Sequence, residues 1–282
     1  MNKTIVRSNW TFKAGLCLAL FWIVDAWAGD PIETARFLAG KPCPSCDLRY
    51  ENASGLISTG TDIRGAYMFN INLQNARLNG ARLESTNLEM ANLERADLSR
   101  AKLDRATMSY ASLSGATLIK STLRQVVARQ VNFDTADLSN ADLSTSDLRN
   151  SSFINAFAED ANFTSTDLRS TDFSKARMSG AQFVNANLAN ANLTAARLAS
   201  SDMRRALMQH INLTDANLSY SNLSGAVLKD ANLQRADLTG VNLTNANLQN
   251  ADLTGAEMGS TLLDGANTCG AKMPVGIQTA PC

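Results

Sequence analysis

From Ile63 to Leu263 an apolar residue recurs at every fifth position: of the 41 positions visited, 39 hold Leu, Met, Phe or Ile, and only Ala128 and Ala158 depart. Two positions before each stands a small residue, as in Ala76, Ala81, Ala91, Ala96, Ser121 and Ala236, and between the two lies mostly Asn or Asp. A period of five does not suit an α-helix, because a five-residue step scatters the leucines around the helix and leaves no apolar stripe. Nor does it suit a long strand, whose faces alternate every second residue. It suits a short one. On an extended backbone, side chains two apart share a face, so the Ala and Leu of each phrase point one way and the Asn or Asp points the other. The last two residues of a phrase are polar or Gly, as in Ser114-Gly115, Thr239-Gly240 and Thr254-Gly255, which is the composition of a turn. A three-residue strand and a two-residue corner, repeated, predict a chain that coils around a line of leucines, with each coil hydrogen-bonded to the next.

The phrase resembles the A(D/N)LXX repeat of the pentapeptide-repeat proteins, and the resemblance spans residues 61–266. It implies an all-β fold, a right-handed quadrilateral β-helix with four phrases in each coil. On that basis the repeats make about ten coils and a rod roughly 50 Å long, at about 4.8 Å between paired strands. Phe133, Phe153 and Phe173 recur at 20-residue spacing, as do Phe163 and Phe183, and would then stack like on like. Both ends of such a solenoid expose open strand edges that need covering. Residues 31–39, PIETARFLA, predict a short helical cap with Ile32, Ala35 and Leu38 turned toward the first coil. Phrases from Arg49 to Gly60 are imperfect, so residues 29–60 are read as the cap and an imperfect first coil, and residues 267–282 as a closing tail.

The ends set the compartment. Lys3, Arg7 and Lys13 precede an apolar run at 14–24, followed by AWA at 26–28, the pattern of a signal peptide over residues 1–28 that is cleaved between Ala28 and Gly29. The expected location is periplasmic or secreted, with no stable membrane insertion after cleavage. Cleavage takes away three basic residues and Asp25, so 26 basic and 26 acidic residues become 23 and 25, a formal charge of −2. That balance predicts neither nucleic-acid binding nor a strongly acidic surface. CPSCDL at 43–48 and GANTCGAKMPVGIQTAPC at 265–282 resemble the termini of exported bacterial members, although Val275 stands where an acidic residue is expected. An even number of cysteines on an exported chain points to disulfides. In a rod of the implied length the two ends cannot reach each other, which pairs Cys43 with Cys46 and Cys269 with Cys282. The competing reading of Cys-Pro-Ser-Cys as a redox centre lacks a surrounding βαβ pattern.

Catalytic chemistry has little to rest on. His210 is the single histidine, and no glycine-rich phosphate loop occurs, so no enzyme activity, cofactor or metal is expected. With 20 residues per coil, phrases centred on Met68, Leu88, Met108, Ala128, Leu148, Leu168, Leu188, Met208 and Leu228 stack into one wall that breaks the polar rule most often. Its outward residues include Tyr67, Phe69, Val127, Leu207 and Val227, with Arg129, Arg149 and Arg169 in consecutive coils. Asp147 and Asp167 on the same wall offset these charges; the sharper reading is an arginine ladder for an anionic ligand such as an acidic glycan or peptide segment. The wall centred on Leu73, Leu93, Leu113 and Phe133 is expected to be inert. The chain thus reads as an exported structural or interaction module that presents rigid faces to an unknown protein or glycan partner. The alternative is a DNA-mimicking, topoisomerase-binding protein, a role the resemblance implies for cytoplasmic members, and it would want a markedly acidic face.

Overall fold

The computed structural model describes residues 29–276; the expected signal segment and the tail from 277, with Cys282, lie outside them. Between these limits the chain winds into a four-sided β-helix. Parallel bridges join each outward Asn/Asp position to the residue 20 further on, from Asp47 with Tyr67 through to Asp252 with Lys272. Each strand is only three residues long before a corner intervenes, so the walls are stacks of single bridges rather than long strands. We name the four walls by the inward residues of one coil: Ile63, Met68, Leu73 and Leu78.

Within one phrase every backbone N–H finds an acceptor, as residues 71–75 show. Ile71 N–H donates across the corner to the Met68 carbonyl at 3.2 Å, and Asn72 N–H donates to Glu51 in the coil before at 2.9 Å. Leu73 and Asn75 donate to Asn92 and Glu94 in the coil after, at 2.7 and 2.9 Å. The remaining donor, Gln74 N–H, is taken by the side-chain Oδ1 of Asn72 at 3.1 Å. This Asx bond recurs along the rod, for example Glu94 to Asn92, Thr164 to Asn162 and Thr244 to Asn242. The polar middle residue of the phrase is therefore Asn or Asp because a short side-chain acceptor is needed there, as well as because the position faces out.

The fifth residue of each phrase lies in the left-handed region, with φ of 57° at Asn75, 68° at Gly80, 58° at Met90 and 64° at Tyr110. A positive φ before a corner hydrogen bond is the pattern of a type II turn, which favours Gly. The sequence pattern led us to expect Gly or polar residues at these corners, yet Met90, Tyr110 and Tyr220 also occupy them. The inter-coil bond of that same residue, such as Asn75 N–H to Glu94, holds the conformation against a cost of about 1–2 kcal/mol.

The cap differs from the sequence-based expectation in the face that its helix buries. Helix α1, Pro31–Leu38, starts at Asp30, whose Oδ1 accepts from Ile32 and Glu33 N–H, with Pro31 in the first turn where no N–H is needed. It turns Phe37 into the core, while Ile32, Ala35 and Leu38 face solvent, Ile32 being 81% exposed. The reason is the contact the first coil requires. In later coils the N–H at the position of Asp47 bonds to the coil beneath, as Tyr67 does to Cys46, but Asp47 has no coil beneath it. Glu33 Oε2 accepts that N–H at 2.6 Å, and Glu33 and Phe37, four residues apart, form the docking face. Within residues 29–60 the first coil starts at Cys43, with Cys43, Leu48, Ala53 and Ser58 all buried at the inward positions.

The core is one column of buried side chains. Phe133, Phe153 and Phe173 stack on one wall at 4.7 and 4.6 Å, and Phe163 and Phe183 stack on the opposite wall at 4.9 Å. The two ladders meet edge to face at 6.0–6.4 Å, with buried Ala158 on the wall between them. The small residue fits a cross-section already filled by rings. Restoring the repeat consensus with Ala158→Leu should lower stability by about 1–3 kcal/mol in urea unfolding; a more stable variant would refute this volume argument.

Candidate interaction face

The corner geometry decides which side chains the Met68 wall presents. At its centre Tyr67 is 57% exposed and Leu207 is also exposed, whereas Val127 and Val227 are half-buried between their neighbours. Phe69 is half-buried too, and Tyr50 packs edge-on against it at a centroid distance of 5.5 Å. Sequence reasoning missed Tyr50, Met90 and Tyr110, which project from the left-handed corner beside this wall, Met90 being 51% and Tyr110 63% exposed. Reading the fifth position of each phrase on the same wall would have found them. Tyr50, Met90 and Tyr110 hold the corner in the first, third and fourth coils, and in the second, where the corner residue is Asn70, Tyr67 at the wall centre is exposed instead, so the first four coils each present one such side chain along an apolar strip.

Beyond the strip lies the arginine ladder, and each of its arginines is paired with a carboxylate. Asp147 accepts two bonds from Arg149, Nε to Oδ1 and Nη2 to Oδ2, both at 2.8 Å, and a third from Arg129 Nε at 2.6 Å. Asp167 is held by Arg169 at 2.9 and 2.6 Å, with Arg149 Nε 3.5 Å away. Three guanidinium groups thus alternate with two carboxylates. The same Asp-x-Arg clamp, with the two side chains flanking an inward residue, recurs at Asp47 and Arg49, Asp62 and Arg64, and Asp202 and Arg204. The Arg149 guanidinium holds the Asp147 carboxyl down at about 2, with burial opposing and Arg129 assisting. Arg64 does the same for Asp62, also to about 2.

The cysteines fall into the repeat register. Cys43 and Cys46 occupy the inward positions on either side of the first corner, both buried, and are disulfide-bonded with Cα atoms 5.5 Å apart. Burial of both sulfurs does not favour a redox-exchange role. Cys269 is disulfide-bonded as well; the expected partner Cys282 lies outside the described residues. His210 sits on a corner with φ 56° and its ring is exposed, 3.9 Å from Asp230. Among the described residues no His, Cys, Asp and Glu group is arranged to hold a metal ion, and no helix is long and apolar enough to cross a membrane.

With this geometry in view, the family is plain. The profile of the family described as Pentapeptide repeats matches in eight copies, over residues 61–105, 111–150, 141–180, 181–219, 206–245 and 231–267. The chain belongs to the pentapeptide-repeat family, whose fold is the right-handed quadrilateral β-helix. Among solved structures it is similar to HetL, a pentapeptide repeat protein involved in heterocyst differentiation regulation from the cyanobacterium Nostoc sp. strain PCC 7120. Identity there is 28%, covering 86% of this chain and 96% of that one, with a TM-score of 0.47. It is similar also to Rfr23 from the cyanobacterium Cyanothece 51142, at 39% identity over 33% of this chain and 63% of that one, TM-score 0.32. The plasmid-mediated fluoroquinolone resistance protein QnrB1 matches at 19% identity over 80% of this chain and 90% of that one, TM-score 0.44. No curated protein matches this chain.

The clamp has a measurable pH signature. A carboxyl held low in the folded state stabilises it fully above the unfolded carboxylate value of about 3.9 and loses that contribution as pH falls toward about 2. Arg149→Gln should therefore move the Asp147 midpoint, followed by carboxyl NMR, from about 2 up toward its ordinary value; an unmoved midpoint would show that Arg149 is not what holds it.

Proposed function

We propose that this protein is an exported, non-enzymatic interaction module that presents the Met68 wall to a protein or glycan partner. The apolar strip carries the reading. Outward positions of this fold are mostly Asn, Asp, Ser and Thr, and an outward aromatic side chain adds nothing to the core, so Tyr67, Met90 and Tyr110 in three consecutive coils expose apolar area that the core does not need. Their spacing is set by the inter-coil ladder, so the strip is held ready without ordering on contact. Aromatic groups on a rigid base are effective anchors because little conformational freedom remains to be lost. The arginine ladder contributes less in this reading, because its guanidinium groups already engage Asp147 and Asp167. The clamps also bear on the DNA-mimic alternative, since these acidic groups sit beside arginines rather than forming a uniformly negative wall.

Export and contact are tested together. The protein recovered from the periplasm should have the mass of residues 29–282 less four hydrogens, for two disulfides. Capture of its periplasmic partner should fall for Tyr67→Ser/Tyr110→Ser, with circular dichroism unchanged, and should survive Asn192→Ser/Asn212→Ser on the Leu73 wall. Full-length protein in the cytoplasm would contradict the export, and equal loss from both walls would contradict the choice of face.

A further inference from the structure

The corner between the Leu78 and Ile63 walls carries a second feature that the interaction reading does not use. Gly60, Gly80, Arg100 and Lys120 stack there in successive coils, in register through Gly60 N–H to Asn79, Gly80 N–H to Ser99 and Arg100 N–H to Ile119, at 2.8–2.9 Å. All four are in the left-handed conformation. At Gly60 an added Cβ would meet nothing within 4 Å, and at Gly80 it would meet only Gly60 Cα at 3.9 Å. The two glycines thus leave an open notch of about 550 Å³ under the cationic side chains. Lys102 stands one phrase position further round, between Arg82 and Thr122 on the adjoining wall.

What sets this corner apart is that cations without partners border an open notch. Several arginines elsewhere on the rod are clamped, Arg124 by Asp104, Arg235 by Asp215, and the ladder by Asp147 and Asp167, while others such as Arg95 and Arg205 stand without an ion pair but border no such notch. Among the described residues Arg100, Lys102 and Lys120 make no ion pair and no side-chain hydrogen bond. Arg100 and Lys120 are one coil apart, about 4.8 Å along the rod at the backbone. One carboxylate, Asp97, stands on the rim, with its Oδ1 engaged by Ser99 N–H at 3.0 Å. Among the residues that line the notch, two cations against one anion leave a local charge of +1.

We propose that this notch binds a tetrahedral oxyanion, the phosphate or sulfate monoester of a small ligand such as a substituted sugar. Arg100 supplies a planar two-donor fork, Lys120 supplies a point charge, and the Ser99 hydroxyl supplies a neutral donor at the rim. The glycines leave room for the ester's carbon skeleton against bare backbone. The site is separate from the Met68 wall, so it stands or falls independently of the interaction reading.

Amide NMR of the full mature protein tests it. Inorganic phosphate and inorganic sulfate, titrated at constant ionic strength set with chloride, should shift the Gly60, Gly80, Ser99 and Lys120 signals saturably. Arg100→Gln/Lys120→Gln should weaken this by about 10-fold or more, since charge-assisted bonds are lost, while Arg129→Gln should leave it unchanged. Glucose 6-phosphate and glucose 6-sulfate, compared at the same concentrations, show which ester the notch prefers. Shifts reproduced by chloride alone, or undiminished in the double variant, would overturn the assignment.

Discussion

One backbone requirement governs this molecule: each five-residue phrase carries five N–H groups that must find acceptors in a rod too narrow to hide any of them. Three donate to neighbouring coils and one closes the corner, as residues 71–75 show. The fourth residue of the phrase has no backbone acceptor within reach, and the Oδ1 of the Asn or Asp two positions earlier takes its N–H. That explains Asn and Asp in the middle of a strand, where such side chains are ordinarily disfavoured. It also shows why the spacing never slips: losing one residue would misplace the inward apolar side chain and the outward acceptor together. Each Asx bond is worth about 1 kcal/mol at most, but it repeats along the rod.

Where the middle residue is not Asn or Asp, the preceding coil sometimes substitutes. Arg124 N–H bonds to Asp104 Oδ1, and Ile154 N–H to Asp134 Oδ1, each from the residue 20 positions earlier. Elsewhere the middle position has been given to another task. Tyr67 and Leu207 hold it on the Met68 wall and lie exposed, and Arg77, Arg177 and Arg197 hold it on the Leu78 wall, with Arg177 placed 5.0 Å over the Phe157 ring. Departures from the repeat are therefore where the surface acquires individual character, at a local cost in hydrogen bonding.

The coiled architecture was legible in the sequence because a period of five excludes the commoner elements and because Leu ladders and Phe spacing must agree with one coil length. The first coil was harder to see. Its inward residues are Cys43, Leu48, Ala53 and Ser58, and only Leu48 fits the apolar rule, although all four are buried in phase with the later coils. The cap was misread because apolar character alone pointed to Ile32, Ala35 and Leu38, whereas a polar need, an acceptor for Asp47 N–H, fixed the orientation through Glu33. At the interaction face the wall itself could be read from 20-residue spacing. Its corner residues needed the fifth position of each phrase to be read as well, and the outward-position rule passed over them because it does not say that Met or Tyr will be held at positive φ by an inter-coil bond. Nor does spacing reveal which arginines are paired, because the Asp-x-Arg clamp depends on side-chain reach across an inward residue.

Amide hydrogen exchange along a single column tests the central role of the Asx acceptor. Ala189, Gln209, Lys229 and Gln249 occupy equivalent positions in four consecutive coils of the Met68 wall. Ala189 and Gln249 N–H groups bond to Asn187 and Asn247 Oδ1 at 3.2 and 3.1 Å. Gln209 and Lys229 follow Leu207 and Val227 and have no such acceptor. The account predicts slow exchange at Ala189 and Gln249, fast exchange at Gln209 and Lys229, and slowing at Gln209 in Leu207→Asn. Uniform exchange down the column, unaffected by that substitution, would show that the coil ladder alone holds the fold and that the Asn and Asp side chains are incidental to it.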